Sequence, residues 1–133
     1  MSIVRFSVSL EKELLESLDQ FAGDNHFTNR SQALRHLINK HTVSHKWLCN
    51  HLVAGSITLV FNHHRRDLMK KLTDIQHDYH DMILSSQHFH LEKELCMEII
   101  AVKGKAASLT ELADRLIAVK GIQHGKLTMS RAD

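Results

Sequence analysis

Apolar and polar residues alternate strictly from residue 3 to residue 10. Val4, Phe6, Val8 and Leu10 share one face, while Arg5, Ser7 and Ser9 share the other, which predicts a strand. The period then changes. Leu14, Leu15, Leu18 and Phe21 recur at helical spacing over residues 11–21, with acidic side chains in the first turn to offset the helix dipole. Gly23, Asp24 and Asn25 predict the break. A second helix starts at Asn29 as cap, with Gln32 reaching back from the third helical position, and Ala33, Leu34, Leu37 and Ile38 continue it. Further on, residues 56–61 form a short β-branched run that reads as a strand. Leu68, Leu72, Ile75 and Tyr79 mark a helix over residues 64–79, and residues 81–90 and 95–102 read as a hairpin. Ser108-Leu109-Thr110-Glu111 has the form of a capping box. It opens a helix whose buried stripe is Leu109, Leu112, Ala113, Leu116 and Ile117, with Gly121 at its end and a last strand over residues 122–129.

The predicted fold class is α+β: a β-α-α segment, then the β-α-β-β-α-β order of ferredoxin-like domains. The boundaries fall at residues 1–45 for the first domain, 46–52 for a linker and 53–133 for the second. The first strand has no neighbour in sequence to pair with, and a lone strand leaves its ladder groups unpaired. Pairing with the same strand of a second copy satisfies the backbone and joins two apolar faces in an intertwined dimer. Arg5, Ser7 and Ser9 then point outward on a two-stranded ribbon of a width that fits the DNA major groove. Arginine can hold guanine through two hydrogen bonds, and serine accommodates several base edges. In the second domain two helices cover only one sheet face. Met82, Leu84, Ile100 and Val102 are expected to make the other face apolar as well, to be covered by another subunit.

At 133 residues and 43% hydrophobic, the chain suits one domain or two small ones with packed cores. Its net charge is only +2, so contact with nucleic acid must come from a local arrangement rather than from an overall basic character. Two cysteines, Cys49 and Cys96, make no disulfide framework, and a reducing cytoplasm is the expected setting. No run approaches the roughly 18 apolar residues of a membrane span. The 12 histidines are the compositional oddity, because imidazole is the commonest metal ligand.

On a strand, His88 and His90 point to one side with Phe89 on the other, and Cys96 follows on the returning strand. Two imidazoles and a thiolate can hold a transition metal once a fourth donor arrives, and His77 stands eleven residues before His88. The competing reading is a pair of exposed strand histidines near an ordinary buried cysteine. Glu98 faces the same way as Cys96 and is placed to take an imidazole N–H. His41, His45 and Cys49 fall at i, i+4 and i+8, with His51 beyond; they offer an auxiliary metal site, or merely prolong the second helix or form a polar hinge. His80 and His124 read as surface or structural histidines. No nucleophile–base arrangement accompanies the hairpin, so an enzyme is not expected.

The strand, helix, turn with Asn29-Arg30-Ser31 and second helix resemble the ribbon-helix-helix repressors. That resemblance implies that the start of the second helix, at Asn29, Arg30 and Ser31, anchors a DNA phosphate. The whole chain resembles the nickel-responsive repressors of the NikR family, through Gln76-His77-x-x-His80-Asp81, His88-x-His90, Cys96-x-Glu98 and a later Lys-Gly. The resemblance implies one Ni(II) per subunit, held in a square plane by His88, His90 and Cys96 of one subunit and His77 of a neighbour. It implies ferredoxin-like (ACT-like) domains at the centre of a homotetramer, a dimer of dimers, binding double-stranded operator DNA with no membrane association. It also implies repression of nickel uptake genes with nickel as allosteric effector, and a loop that brings Arg65 and Arg66 to the DNA backbone. Copper would fit the same donors, usually more tightly, and a small organic ligand is the alternative for a ferredoxin-like sensor domain. One departure stands out. Where the resemblance implies acidic ligands for a second cation between the domains, this chain has Gln32 and His36.

Overall fold

The computed structural model describes residues 2–133, which form two compact units: one up to His41, the other from Thr42 onward. In the first, residues 2–10 make no helix and no sheet pairing within the chain, and Ile3, Val4 and Phe6 are 91%, 83% and 77% exposed. Helix α1 spans Lys12–Asp24 with Glu13 in its first turn. It persists one residue past Gly23. The break comes at His26, a non-glycine residue at φ 61°, while the Asn25 side chain donates to the Phe21 carbonyl at 2.9 Å. Asparagine and histidine tolerate this region better than most residues, so the turn does not draw on glycine's freedom.

Helix α2 spans Arg30–Leu48. Asn29 caps it as predicted, its Oδ1 accepting the Gln32 N–H at 2.9 Å. Gln32 reaches back one residue further than a capping box requires, its Oε1 accepting from both the N–H and the hydroxyl of Thr28 at 2.9 and 2.8 Å. His36 sits in an aromatic group with Phe21 and Phe27, at ring-centroid distances of 6.1 and 5.2 Å.

The second unit takes in the end of α2. The stretch expected as a linker is therefore helix through Leu48, with Trp47 buried and donating its indole N–H to the Ser130 carbonyl at 2.8 Å. After a turn at Asn50 (φ 54°) come β1 (Leu52–Asn62), α3 (Arg66–Asp78), a short 3-10 turn (His80–Met82), β2 (Ile83–His90), β3 (Leu95–Lys105), α4 (Ala106–Ile117) and β4 (Ile122–Met129). The sheet is antiparallel in the order β2-β3-β1-β4, the ferredoxin-like arrangement predicted from the element order. Leu68 and Leu72 of α3 and Leu109, Leu112 and Leu116 of α4 pack on Ile57, Leu59, Phe61, Ile100 and Val102.

Three expectations need correction. Ile100 and Val102 lie on the helix-covered face, fully buried, because the strand period of two puts them on the same side as Cys96. Met82 is partly buried against the core rather than on the open face. The open face is mixed, with its apolar residues toward the centre: the register aligns His124, Val60, Met97 and Phe89 in one row and Lys126, Thr58, Ile99 and Gln87 in the next. The third correction concerns α4, which begins at Ala106 without a Ser108 capping box. Its first turn is closed from a distance: Asn50 Oδ1 accepts the Ala107 N–H at 2.8 Å, and the His51 carbonyl accepts the Ala106 N–H at 3.0 Å. The same helix stops at Ile117, four residues before Gly121, whose φ of +107° serves the turn into β4.

Candidate metal centre

The β2–β3 register decides which side chains meet. His90 lies opposite Cys96 and His88 opposite Glu98, so all four project to the helix-covered face. Cys96 is a free thiol, 3% exposed, with Sγ 3.5 Å from His90 Nδ1. A thiol at that depth beside an imidazole is a ready soft donor once deprotonated. His88 is oriented by its neighbours. Its Nε2–H donates to Glu98 Oε2 at 2.6 Å, and its ring stands edge-on to Phe61 at 5.9 Å. That bond leaves the Nδ1 lone pair free to accept a metal, the arrangement in which a carboxylate fixes the tautomer of a metal-binding histidine.

Glu98 is the one buried charged residue among the described residues, at 6% exposure. Burying a carboxylate is costly unless both oxygens are paired. Here the other oxygen accepts from Gln76 Nε2 at 2.9 Å. Gln76 sits on α3, one residue before His77, so a continuous hydrogen-bonded path runs from His88 through Glu98 to the last turn of that helix. Gln76 entered the sequence reading only as part of a motif, and its contact with Glu98 needed the fold to be seen.

His77 is exposed at the end of α3. Its ring stacks on His80 at 5.7 Å, and His80 is held by the His77 carbonyl and Asp81, each at 3.0 Å. Among the described residues of a single chain, the three ligand atoms that gather within 4.8 Å of one another are those of His63, His90 and Cys96, a group that includes neither His77 nor His88. His63 lies two residues before Arg65, in the loop that the family resemblance brings to the DNA backbone. The signal that could have found it is topological: it follows Phe61 and Asn62, which pair with Cys96 and Leu95 across β1 and β3. At the end of α2, Cys49 Sγ lies 3.6 Å from His45 Nε2, as i, i+4 spacing predicts, and among the described residues no three-donor group forms there.

The residues read for DNA lie mainly in the first unit. Arg5, Ser7 and Ser9 are exposed on the unpaired segment, and Asn29, Arg30 and Ser31 open α2. Arg30 is engaged in a two-pronged ion pair with Asp19, at 2.8 and 2.9 Å. The guanidinium holds the Asp19 carboxyl below its ordinary value, by hydrogen bonding before charge. Arg65 and Arg66 are exposed at the start of α3.

An alternating segment and two helices, followed by a β-α-β-β-α-β domain with a His-Cys hairpin, define a ribbon-helix-helix protein joined to a metal-binding domain. Known proteins agree. Residues 4–41 match the ribbon-helix-helix proteins of the copG family, and residues 54–130 match the NikR C terminal nickel binding domain. The chain belongs to the NikR family of nickel-responsive regulators, whose members are transcriptional regulators and not enzymes. A protein of Syntrophus aciditrophicus named "Putative nickel-responsive regulator" is 48% identical over 96% of this chain and 93% of its own length. One of the same name from Pyrococcus furiosus is 47% identical over 98% and 95%. Among solved structures, an uncharacterized protein of Thermotoga maritima covers 59% of this chain and 96% of its own at a TM-score of 0.53 and 15% identity, a likeness of fold alone. No helix of the described residues is long and apolar enough to cross a membrane.

Proposed function

We propose that this protein is a cytoplasmic, nickel-dependent repressor of nickel uptake genes that binds double-stranded operator DNA as a dimer of dimers, with one Ni(II) per subunit as effector. The observation that carries the reading is the path from His88 through Glu98 and Gln76 to the helix that ends in His77. His88 through Nδ1, His90 and Cys96 would come from one subunit and His77 from a neighbour. Three imidazoles and a thiolate suit square-planar d⁸ nickel, although Cu(II) generally binds such a set more tightly. Bound nickel would supply a rigid four-coordinate node between two chains.

The chain's own residues transmit that node. Glu98 holds the His88 ring in its tautomer and Gln76 holds Glu98, so fixing His88 also fixes the last turn of α3. Capture of His77 across the subunit boundary restricts the positions open to the paired first units. The metal acts as effector to the extent that it favours the DNA-competent arrangement over others. Exposed Val4, Phe6 and Val8, together with the apolar groove between Leu10, Leu14, Leu18, Phe21, Leu34 and Leu37, support a second copy as the cover of the first unit. The Val60, Met97 and Ile99 rows support a second contact, through the open sheet face.

On the ribbon so formed, Arg5, Ser7 and Ser9 read base edges. Asn29, Arg30, Ser31, Arg65 and Arg66 contact phosphates, with Arg30 limited by its pair with Asp19. Gln32 spends its side-chain oxygen on Thr28 and His36 is packed on two phenylalanines, so neither supports the second cation that the family resemblance implies. Operator affinity measured by fluorescence anisotropy with and without nickel tests the proposal. Equal affinity in the two conditions would remove nickel as effector.

A further inference from the structure

The end of α2 carries His45, Cys49 and His51, metal-binding side chains that the hairpin does not use, all exposed and all inside the second unit. The helix finishes in a Schellman turn. The His51 N–H donates to the Lys46 carbonyl at 2.9 Å and the Asn50 N–H to the Trp47 carbonyl at 3.3 Å, with Asn50 in the left-handed region at φ 54°. Such a turn folds the residue after the left-handed one back against the last full turn of helix, where an apolar pair often closes it. Here that pair is His51 and His45, their rings edge-on at a centroid distance of 6.4 Å. Cys49 stands one helical turn after His45 on the same face, with Sγ 3.6 Å from His45 Nε2. Two imidazoles and a thiol thus meet where the backbone motif ordinarily gathers apolar side chains.

The spacing selects the kind of ion. With bonds of about 2.0–2.3 Å, neighbouring donors on a square-planar ion lie roughly 3.0 Å apart, whereas tetrahedral or trigonal ones lie roughly 3.5–3.6 Å apart. The Cys49–His45 pair matches the second value. Two imidazoles on one tetrahedral ion have centroids roughly 5 Å apart, so the His51 ring must swing inward from its 6.4 Å. Its backbone bonds hold the Cα in place while the exposed ring turns between rotamers. The C-terminal end of a helix favours a cation, and the neighbouring like charge of Lys46 is taken up by Asp133.

We propose that His45, Cys49 and His51 of a single chain form a second metal site, for a thiophilic d¹⁰ ion, zinc(II) or copper(I), whose binding displaces the thiol proton. The site shares no residue with the hairpin and needs no neighbouring chain. The His51 carbonyl also accepts the Ala106 N–H, and the Asn50 side chain accepts the Ala107 N–H. An ion here therefore fastens the end of α2, the entry to β1 and the start of α4 at one point, and stiffens the passage by which α2 leads into the sheet.

The test uses the full chain freed of metal. The sequence has two cysteines, so Cys96→Ala leaves Cys49 as the sole source of a thiolate–metal band. Titrated with Co(II), this variant is expected to show thiolate charge transfer and the intense visible bands of four-coordinate cobalt, both bleached by zinc. Copper(I) held against a chelator without any cobalt band assigns the site to copper(I) instead. Neither signal, or a signal that saturates at half an ion per chain as copies associate, overturns the single-chain site. In the same background His45→Ala and His51→Ala are each expected to weaken binding at least about tenfold, the loss that even outer partners of a ligand commonly cause. His51→Ala keeps both backbone bonds of the turn, so undiminished affinity there overturns the site. Cys49→Ser in the otherwise native chain changes an exposed side chain. It is expected to remove one zinc or copper(I) equivalent per chain and leave nickel binding at the hairpin unaltered; an unchanged equivalent count overturns the proposal. A native chain that binds no nickel sinks the four-donor reading and leaves this site standing.

Discussion

The two units of this chain differ in how much of their core each copy supplies. From Thr42 onward, apolar side chains of one sheet face and two helices close on one another, with Ile57, Leu59, Phe61, Leu68, Leu109 and Leu112 inaccessible to solvent. Up to His41, the buried apolar residues among those described are only Ala22 and Ala33, while Val4, Phe6, Val8 and Leu14 stay open. Burial of roughly 25 cal/mol per Å² of apolar surface is thus largely collected within the chain by one unit and largely deferred by the other. The His-Cys hairpin thus stands on the self-sufficient unit, which gives it a rigid support, while the other unit keeps its apolar face open.

A charge on the deferred face breaks the contrast most strongly. Val8→Asp would bury an uncompensated carboxylate twice in a symmetric pair, at about 3–5 kcal/mol each. Operator binding and the melting of the first unit are expected to be lost, while the second unit keeps its circular dichroism and its metal. In the second unit, Leu109→Ala is expected to cost about 2–5 kcal/mol. Differential scanning calorimetry should show one transition lowered and the other unmoved; a shift of both would mean that the units do not melt independently. Glu98→Gln keeps the shape of the buried link and removes its charge. Nickel affinity by chelator competition is expected to fall about 10- to 100-fold, with little change in secondary structure.

The smallest effect concerns Asp19. Its carboxyl is held below its ordinary value of 3.8, so its pair with Arg30 is fully present above that pH and is lost as pH falls through the lower, folded value. Asp19→Asn frees the guanidinium and removes a negative charge near the start of α2. Operator affinity at low salt is expected to rise about two- to fivefold. No rise would mean that Arg30 does not reach a phosphate.

Local patterns in the sequence were enough for the order of elements, because each helix and strand carries its own period. Asn29 as the cap of α2 and the His88/His90/Cys96 face could be read for the same reason. What escaped depended on distant pairing. Ile100 and Val102 were assigned to the wrong face because parity within β3 was not carried through from Cys96. The Ser108 capping box was a false start, since Asn50 supplies the cap to α4 from 57 residues upstream in sequence. His63 was overlooked because its nearness to Cys96 exists only once β1 lies beside β3. Gln76 likewise needed α3 to settle over Glu98.

The bond from Asn50 to the first turn of α4 has a practical corollary for dissecting this molecule. An excised sensor fragment cut at residue 53, where the hydrophobic pattern invites the knife, would lack Asn50 and His51, which tie down that helix, and Trp47, which is sewn to Ser130. A piece beginning at Thr42, where the compact unit starts, keeps all three ties, whereas a fragment cut at residue 53 is expected to have a frayed α4.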